Sequence, residues 1–177
     1  MKEYNNDGRL KVYLAGPFFN EEQEERITFL EDILEMYDYD IFSPRKASRI
    51  TPNCTSKDMI DTFNGNVSHI DDADFVLAVA DGNDTGTMFE CGYAYAIKKP
   101  VLYFNETREK GPNLMLAMSG ALPFITKTTN ITDIMNINTD IKVDNPRKVL
   151  EFVLQYMQLN GLEVSLENTK NVFDEVE

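Results

Sequence analysis

The chain has 177 residues, which suits one domain whose core buries roughly 70% of the extended chain's surface without disulfide or metal staples. Hydrophobic residues make up 42% and charged residues 27%, the balance of a folded globular protein rather than a disordered one. With 17 Lys and Arg against 30 Asp and Glu, the net charge is −13, which argues against nucleic-acid polymers and membrane surfaces as partners.

Leu10–Ala15 (LKVYLA) is a short apolar-rich run that stops at Gly16-Pro17, as a buried strand ending in a loop does. Asn20 precedes an acidic turn with Gln23 three residues on, which predicts an N-cap with a capping-box partner. Ile27, Leu30, Ile33, Leu34 and Tyr37 recur at helical spacing, so the helix should run over Glu21–Tyr37. Asp40–Phe42 is a weak second strand cut off at Ser43-Pro44, and the basic pair Arg45-Lys46 beyond it reads as solvated. A second helix is expected over Lys57–Ile70, with Met59, Ile60, Phe63, Val67 and Ile70 on its inner face. His69, on that helix, reads as a surface or satisfied residue.

Phe75–Ala80 (FVLAVA) is continuously apolar, as in a sheet covered on both faces. A polar loop, Asp81–Thr85, leads to a helix from about Thr87 to Lys98, then to a strand at Pro100–Phe104. A short helix at Asn113–Met118 and a long one at Pro146–Leu159, with Val149, Phe152, Val153 and Tyr156 inward, complete the series. Strands alternating with helices predict a doubly wound, flavodoxin- or Rossmann-like α/β fold, a parallel sheet of about five strands with helices on both faces. Ligands of such sheets bind beyond the carboxyl ends of the strands, here the loops after Ala15, Ala80 and Phe104.

The expected layout is one domain over residues 1–165 and an acidic tail over 166–177, since residues 151–177 carry six acids and one Lys. Cys54 and Cys91 are too few for a disulfide framework, and with His69 as the single histidine a zinc site is not expected. No run approaches a membrane helix, and the polar N-terminus is unlike a signal peptide, so a cytoplasmic location is expected.

One carboxylate stands out. Between Met88 and Ile97 every residue is apolar or small except Glu90. A helix hydrophobic all round is expected to be buried, and placement in its first turn would keep the carboxylate ionised in a dry pocket, ready to act as a nucleophile. The competing reading is an exposed Glu that favours the helix start. The preceding Asp81–Gly86 loop offers polar side chains at the same mouth, though as a plain turn it would only cap the helix through Asp84 or Thr85. Tyr13 lies on the first strand, adjacent to Phe75–Ala80 in doubly wound order; as an isolated aromatic it reads as core, and Cys91 should pack against the sheet.

These segments in this order resemble the nucleoside 2-deoxyribosyltransferase family. The matching residues are YLAGPFFNEEQ (Tyr13–Gln23), FSPR (Phe42–Arg45), IDDADFVLAV (Ile70–Val79), DTGTMFECGYAYAIKKPV (Asp84–Val101) and NLM (Asn113–Met115). The resemblance implies a retaining double displacement in which Glu90 attacks C1′ of a deoxyribonucleoside and a second nucleobase then takes the sugar. Tyr13 matches the tyrosine that orients the nucleophile, and Asp84 the aspartate that binds the 5′-hydroxyl. Asn113 matches an asparagine that reaches the sugar from a neighbouring subunit, so the active unit would be a homo-oligomer. Gly16 and Phe18, in the loop after the first strand, fall among the substrate-binding positions. Neither metal nor organic cofactor is implied; the partners are a deoxyribonucleoside and a free nucleobase.

One position departs from the better-known members. Asn66 stands where many carry an Asp that protonates the departing base, and an amide cannot do so. Asp71-Asp72 or water are the candidate substitutes. Two other readings compete: a 2′-deoxynucleoside 5′-monophosphate N-glycosidase, against which the charge of Asp84 argues, and a non-catalytic nucleotide-sensing module.

Overall fold

The computed structural model describes residues 8–47, 51–106 and 113–120, together with positions 151, 153–155 and 158. Strand β1 (Lys11–Ala15) leads into helix α1 (Glu21–Met36), and β2 (Asp40–Phe42) into a one-turn helix α2 (Pro44–Ala47). Helix α3 (Ser56–Asp72), β3 (Phe75–Val79), α4 (Thr85–Ala96), β4 (Val101–Phe104) and α5 (Leu114–Ser119) follow. The strands pair in parallel in the order β2-β1-β3-β4, so the order reverses between β1 and β3, the switch point of a doubly wound sheet.

Both faces are covered. On one, Val12, Leu14, Leu77, Val79, Leu102 and Phe104 pack against Ile27, Leu30, Ile33 and Leu34 of α1 and against Val153 and Leu154. On the other, Tyr13, Ala15, Val76, Ala78, Val101 and Tyr103 meet Ile70 of α3 and Cys91 and Ala94 of α4. The alternation follows the two-residue period of a strand. Positions 151, 153–155 and 158 are helical, and the Tyr39 hydroxyl donates to the Leu154 carbonyl at 2.6 Å. Val149, Phe152 and Tyr156 of that expected helix, and the acidic tail, lie outside the described residues.

The helix starts are chemically marked. Asn20 caps α1 by accepting from the Gln23 backbone N–H at 2.9 Å, while the Gln23 side chain accepts from Phe19 rather than from the cap residue itself. Thr55 and Asp58 close a full capping box on α3.

Three expectations are corrected. The described residues hold four strands, one fewer than five; only four runs in the sequence read as strands, and the fifth came from the fold class alone. Of the residues expected inward on α3, Ile70 is buried while Met59, Ile60 and Phe63 are exposed. Apolar periodicity marks a face that can be covered, and here Met59, Ile60 and Phe63 remain more than half exposed.

The third correction concerns Arg45 and Lys46, which are not free surface charges. Glu31 is buried on α1, where it accepts from Ser43 Oγ at 2.6 Å and pairs with the Arg45 guanidinium; Lys46 Nζ lies 3.4 Å away. Burial alone would raise this carboxyl, but the hydrogen bonds from Arg45 and Ser43 outweigh it and hold it below the ordinary value. The network pins the end of β2 and α2 onto α1. Arg45→Met leaves a buried carboxylate short of its partner, so unfolding free energy at neutral pH should drop by ~2–4 kcal/mol. Since folding lowers the Glu31 pKa, the wild-type contribution is present at neutral pH and lost as pH falls through the acid range. Urea titrations of both proteins should therefore show the gap closing toward low pH.

Candidate active site

The site forms where α4 crosses the sheet at the switch point. The Tyr13 side chain is fully buried between β1 and the α3–α4 layer, and its hydroxyl donates to Glu90 Oε1 at 2.6 Å. Parallel pairing makes this possible: Tyr13 lies beside Val76 on β3, the strand whose C-terminal end feeds α4. Tyr13 is thus core, as expected of an isolated aromatic, and also bonded to Glu90.

Asp84 supplies the N-cap of α4, its Oδ2 accepting from the Thr87 N–H at 2.8 Å and the Thr87 hydroxyl at 2.9 Å. The helix-cap reading of Asp84 is met through this one oxygen. Helix α4 begins at Thr85, earlier than expected, so Glu90 sits in the second turn, not the first. The helix terminus therefore does not stabilise its charge. Nor is α4 buried all round: Phe89 is 53% exposed, with Tyr95 and Ile97 exposed beside it.

The electrostatic outcome is the reverse of an effortlessly ionised carboxylate. Burial drives the Glu90 pKa up, the Tyr13 hydrogen bond pulls it back, and the nearby negative charge of Asp84 pushes it up again, to about 7. Burial and the same carboxylate raise the Tyr13 phenol well above its ordinary value, so it remains a donor. Cys91 is buried against the sheet as expected, its thiol raised to about 12 by burial.

The remaining expected site residues are placed less tightly. Gly16 follows β1, and a Cβ there would lie 2.5 Å from Ile27 Cδ1 and 3.1 Å from Val79 Cγ2, so any other residue makes the Ile27 side chain shift. Phe18 is half-buried and stacks on the exposed Phe19 at 5.3 Å. Asn66 is half-buried on α3, its amide uncommitted among the described residues. Asn113 is exposed and caps α5 by accepting from the Met115 N–H at 2.9 Å. The carboxylates considered as substitute acids are engaged elsewhere: Asp71 accepts from the Tyr93 hydroxyl, and Asp72 pairs with Lys11, which holds its pKa down.

Sequence reasoning missed a second charged group at the carboxyl end of the sheet. Arg26, buried on α1, donates to Glu106 at 3.0 Å and Glu22 at 2.8 Å, with the buried Asp81 3.9 Å away. Asp81 in turn accepts from the Glu106 backbone N–H at 2.9 Å, which ties the loop after β3 to the loop after β4. The i,i+4 spacing of Glu22 and Arg26 was the one available signal.

The family model for nucleoside 2-deoxyribosyltransferases matches residues 12–152. The chain belongs to that family. Among solved structures, the 2-deoxyribosyltransferase of the psychrotolerant bacterium Bacillus psychrosaccharolyticus is similar at 29% identity and a TM-score of 0.60. That match covers 77% of this chain and 98% of the other. A CMP N-glycosidase of Clostridium botulinum is more distant, at 20% identity and a TM-score of 0.45 over 66% of this chain and 88% of that one; this likeness carries no argument about the reaction. An uncharacterized protein of Ureaplasma parvum serovar 3 is 32% identical over 102 residues, which is 52% of this chain and 64% of that relative. The chain therefore spans less than two thirds of that relative's length. Among the described residues no helix is long and apolar enough to cross a membrane.

Site electrostatics give a direct measurement. Carboxyl carbon NMR should show Glu90 titrating near 7, and Tyr13→Phe should move that midpoint higher by removing the bond that favours the anion. Because folding raises this carboxyl from 4.5 to about 7, the folded state favours the protonated form. Wild-type stability is then fullest below the unfolded value and falls as pH rises toward 7. Glu90→Gln stays neutral, so its melting temperature should gain on wild type across that window.

Proposed function

We propose that this protein transfers the 2-deoxyribosyl group between nucleobases through a covalent ester on Glu90. The observation that carries the reading is the Tyr13–Glu90 hydrogen bond at the switch point, which commits Oε1 and leaves Oε2 as the attacking oxygen. A lone pair of Oε2 forms the bond to C1′ as the C1′–N bond breaks, and the departing base keeps that electron pair and takes up a proton. A ring nitrogen of the second base then attacks C1′ from the vacated face, loses its own proton, and releases the Glu90 carboxylate. Two inversions give net retention. A carboxylate titrating near 7 is more basic than usual, hence the stronger nucleophile, though only its ionised fraction can attack.

Asp84 selects a free 5′-hydroxyl, since a fixed carboxylate repels a 5′-phosphate. Phe18 and Gly16 line the sugar side, and Asn66 holds the base by hydrogen bonds while water supplies the proton. Exposed Leu114 and Met115 beside Asn113 support a homo-oligomer in which that segment completes a neighbouring site. Two free cysteines, one buried, fit a reducing cytoplasm. No cofactor takes part.

Incubation with deoxyinosine and free adenine, followed by chromatography, tests the reading: deoxyadenosine indicates transfer, free deoxyribose indicates hydrolysis, and neither indicates a binding module. Release of deoxyribose phosphate from a deoxynucleoside monophosphate would instead favour the N-glycosidase. Glu90→Ala should abolish exchange and slow hydrolysis together, and intact-protein mass spectrometry should find a deoxyribosyl adduct on wild type lacking acceptor base. For wild type, kcat/KM should climb with pH and level off above about 7 as Glu90 ionises.

Asn66→Asp tests the missing acid. General acid catalysis is typically worth ~10²–10⁴-fold, so the variant should accelerate natural nucleosides more than those with activated leaving groups, and add a limb to the pH profile. A new carboxylate near Glu90 couples the two titrations, so rates are compared across pH. Equal effects on good and poor leaving groups at every pH would remove Asn66 from the acid's position.

A further inference from the structure

Tyr13 is held in place by more than its hydrogen bond. The β1–β2 register puts Phe42 directly beside it, and the two rings stack with centroids 5.5 Å apart and planes 26° from parallel. The far face of Phe42 is covered by the His69 imidazole of α3, at 3.6 Å and 14°. His69 is itself fixed, its Nδ1–H donating to the Gly65 carbonyl at 2.7 Å. Immediately after Phe42, Ser43 and Arg45 anchor the chain to the buried Glu31. A column of three rings from three elements thus ends on the hydroxyl that touches Glu90.

The lever arm makes this column matter. Tilting a tyrosine ring by ~10° about its root carries the hydroxyl by roughly 1 Å, enough to break a short hydrogen bond or misplace a reacting group. Ring stacking between Tyr13 and Phe42 opposes that tilt on the side where β2 lies, and His69 keeps Phe42 from yielding.

We propose that Phe42 is a positioning residue for the nucleophile, holding the Tyr13 ring so that its hydroxyl stays on Glu90, with His69 as the backstop. Its kinetic consequence rests on Glu90 being the nucleophile; the geometric coupling does not. Groups that bear on Glu90 directly are Tyr13 from β1, Asp84 at the start of α4 and the neighbouring Cys91.

The test reads Glu90 itself as well as turnover. In Phe42→Leu, the carboxyl NMR midpoint of Glu90 should move upward, in the direction of Tyr13→Phe, and adding Phe42→Leu to Tyr13→Phe should move it no further. Phe42→Tyr, which keeps the ring, should restore the wild-type midpoint. Under the transfer assay, kcat of Phe42→Leu should fall by ~10-fold or more with KM changed by less than about threefold, since substrate contacts are untouched. His69→Ala should shift both readouts the same way by a smaller amount. A Glu90 midpoint unchanged in Phe42→Leu, or one that shifts equally in the Tyr13→Phe background, overturns the proposal. If Phe42→Leu does not fold, Phe42→Met is read against the same outcomes. Absent turnover in wild type would defeat the transferase reading, while the titration would still decide the role of Phe42.

Discussion

One hydrogen bond, from a fully buried phenol to a half-buried carboxylate, organises this molecule's chemistry. It can form only if β1 and β3 are neighbours and parallel, if α4 packs on the Tyr13 face of the sheet, and if α4 starts where Asp84 caps it. Each condition is a property of the doubly wound topology, in which the first strand sits centrally and the chain crosses to both sides. The bond also breaks the symmetry of the carboxylate. Oε1 is held by a donor whose own pKa is raised by burial, while Oε2 is left out of that bond.

Two glutamates, Glu31 buried and Glu90 half-buried, are treated in opposite ways. Glu31 meets a guanidinium, a hydroxyl and an ammonium, and its pKa falls despite burial. Glu90 meets a phenol and a second carboxylate, and its pKa rises to about 7. Depth alone does not decide the outcome; the charge of the partner does. Glu31 is given enough cations to stay ionised near neutral pH, whereas Glu90 is kept short of them. The paired Glu31 serves the unpaired Glu90 indirectly, because Ser43 and Arg45 fix the end of the strand carrying Phe42.

Much of this was legible in the sequence, for definite reasons. FVLAVA reads as a doubly covered strand because no polar side chain interrupts it, and Glu90 stands out as the single acid in an apolar stretch. Glu31 was equally legible and missed: it falls four residues after Ile27 and three before Leu34, inside the stripe that packs on the sheet. Its partners, Ser43 and Arg45, are distant in sequence, and Arg45 beside Lys46 looked like solvent-facing charge. The exposure of Phe89, Met59 and Phe63 was illegible for a different reason. Hydrophobic pattern reports what a face can bury, and the centroids of Phe63 and Phe89, 5.8 Å apart, show these helices offering a joint apolar surface instead. The role of Phe42 needed register, which no single segment of the sequence contains.

Gly16 carries a consequence for how the turn after β1 can vary. The loop after β1 runs so close to Ile27 on α1 and Val79 on β3 that a Cβ there would press on both, and the Ile27 side chain would have to turn aside to admit it. A bulkier side chain would therefore bear on α1 and β3 at once. Arg26 sits next to Ile27 on that helix, so the clamp between the β3 and β4 loops would move with it. A substitution at Gly16 would thus be felt well beyond its own turn, in the contact that joins the loops after β3 and β4.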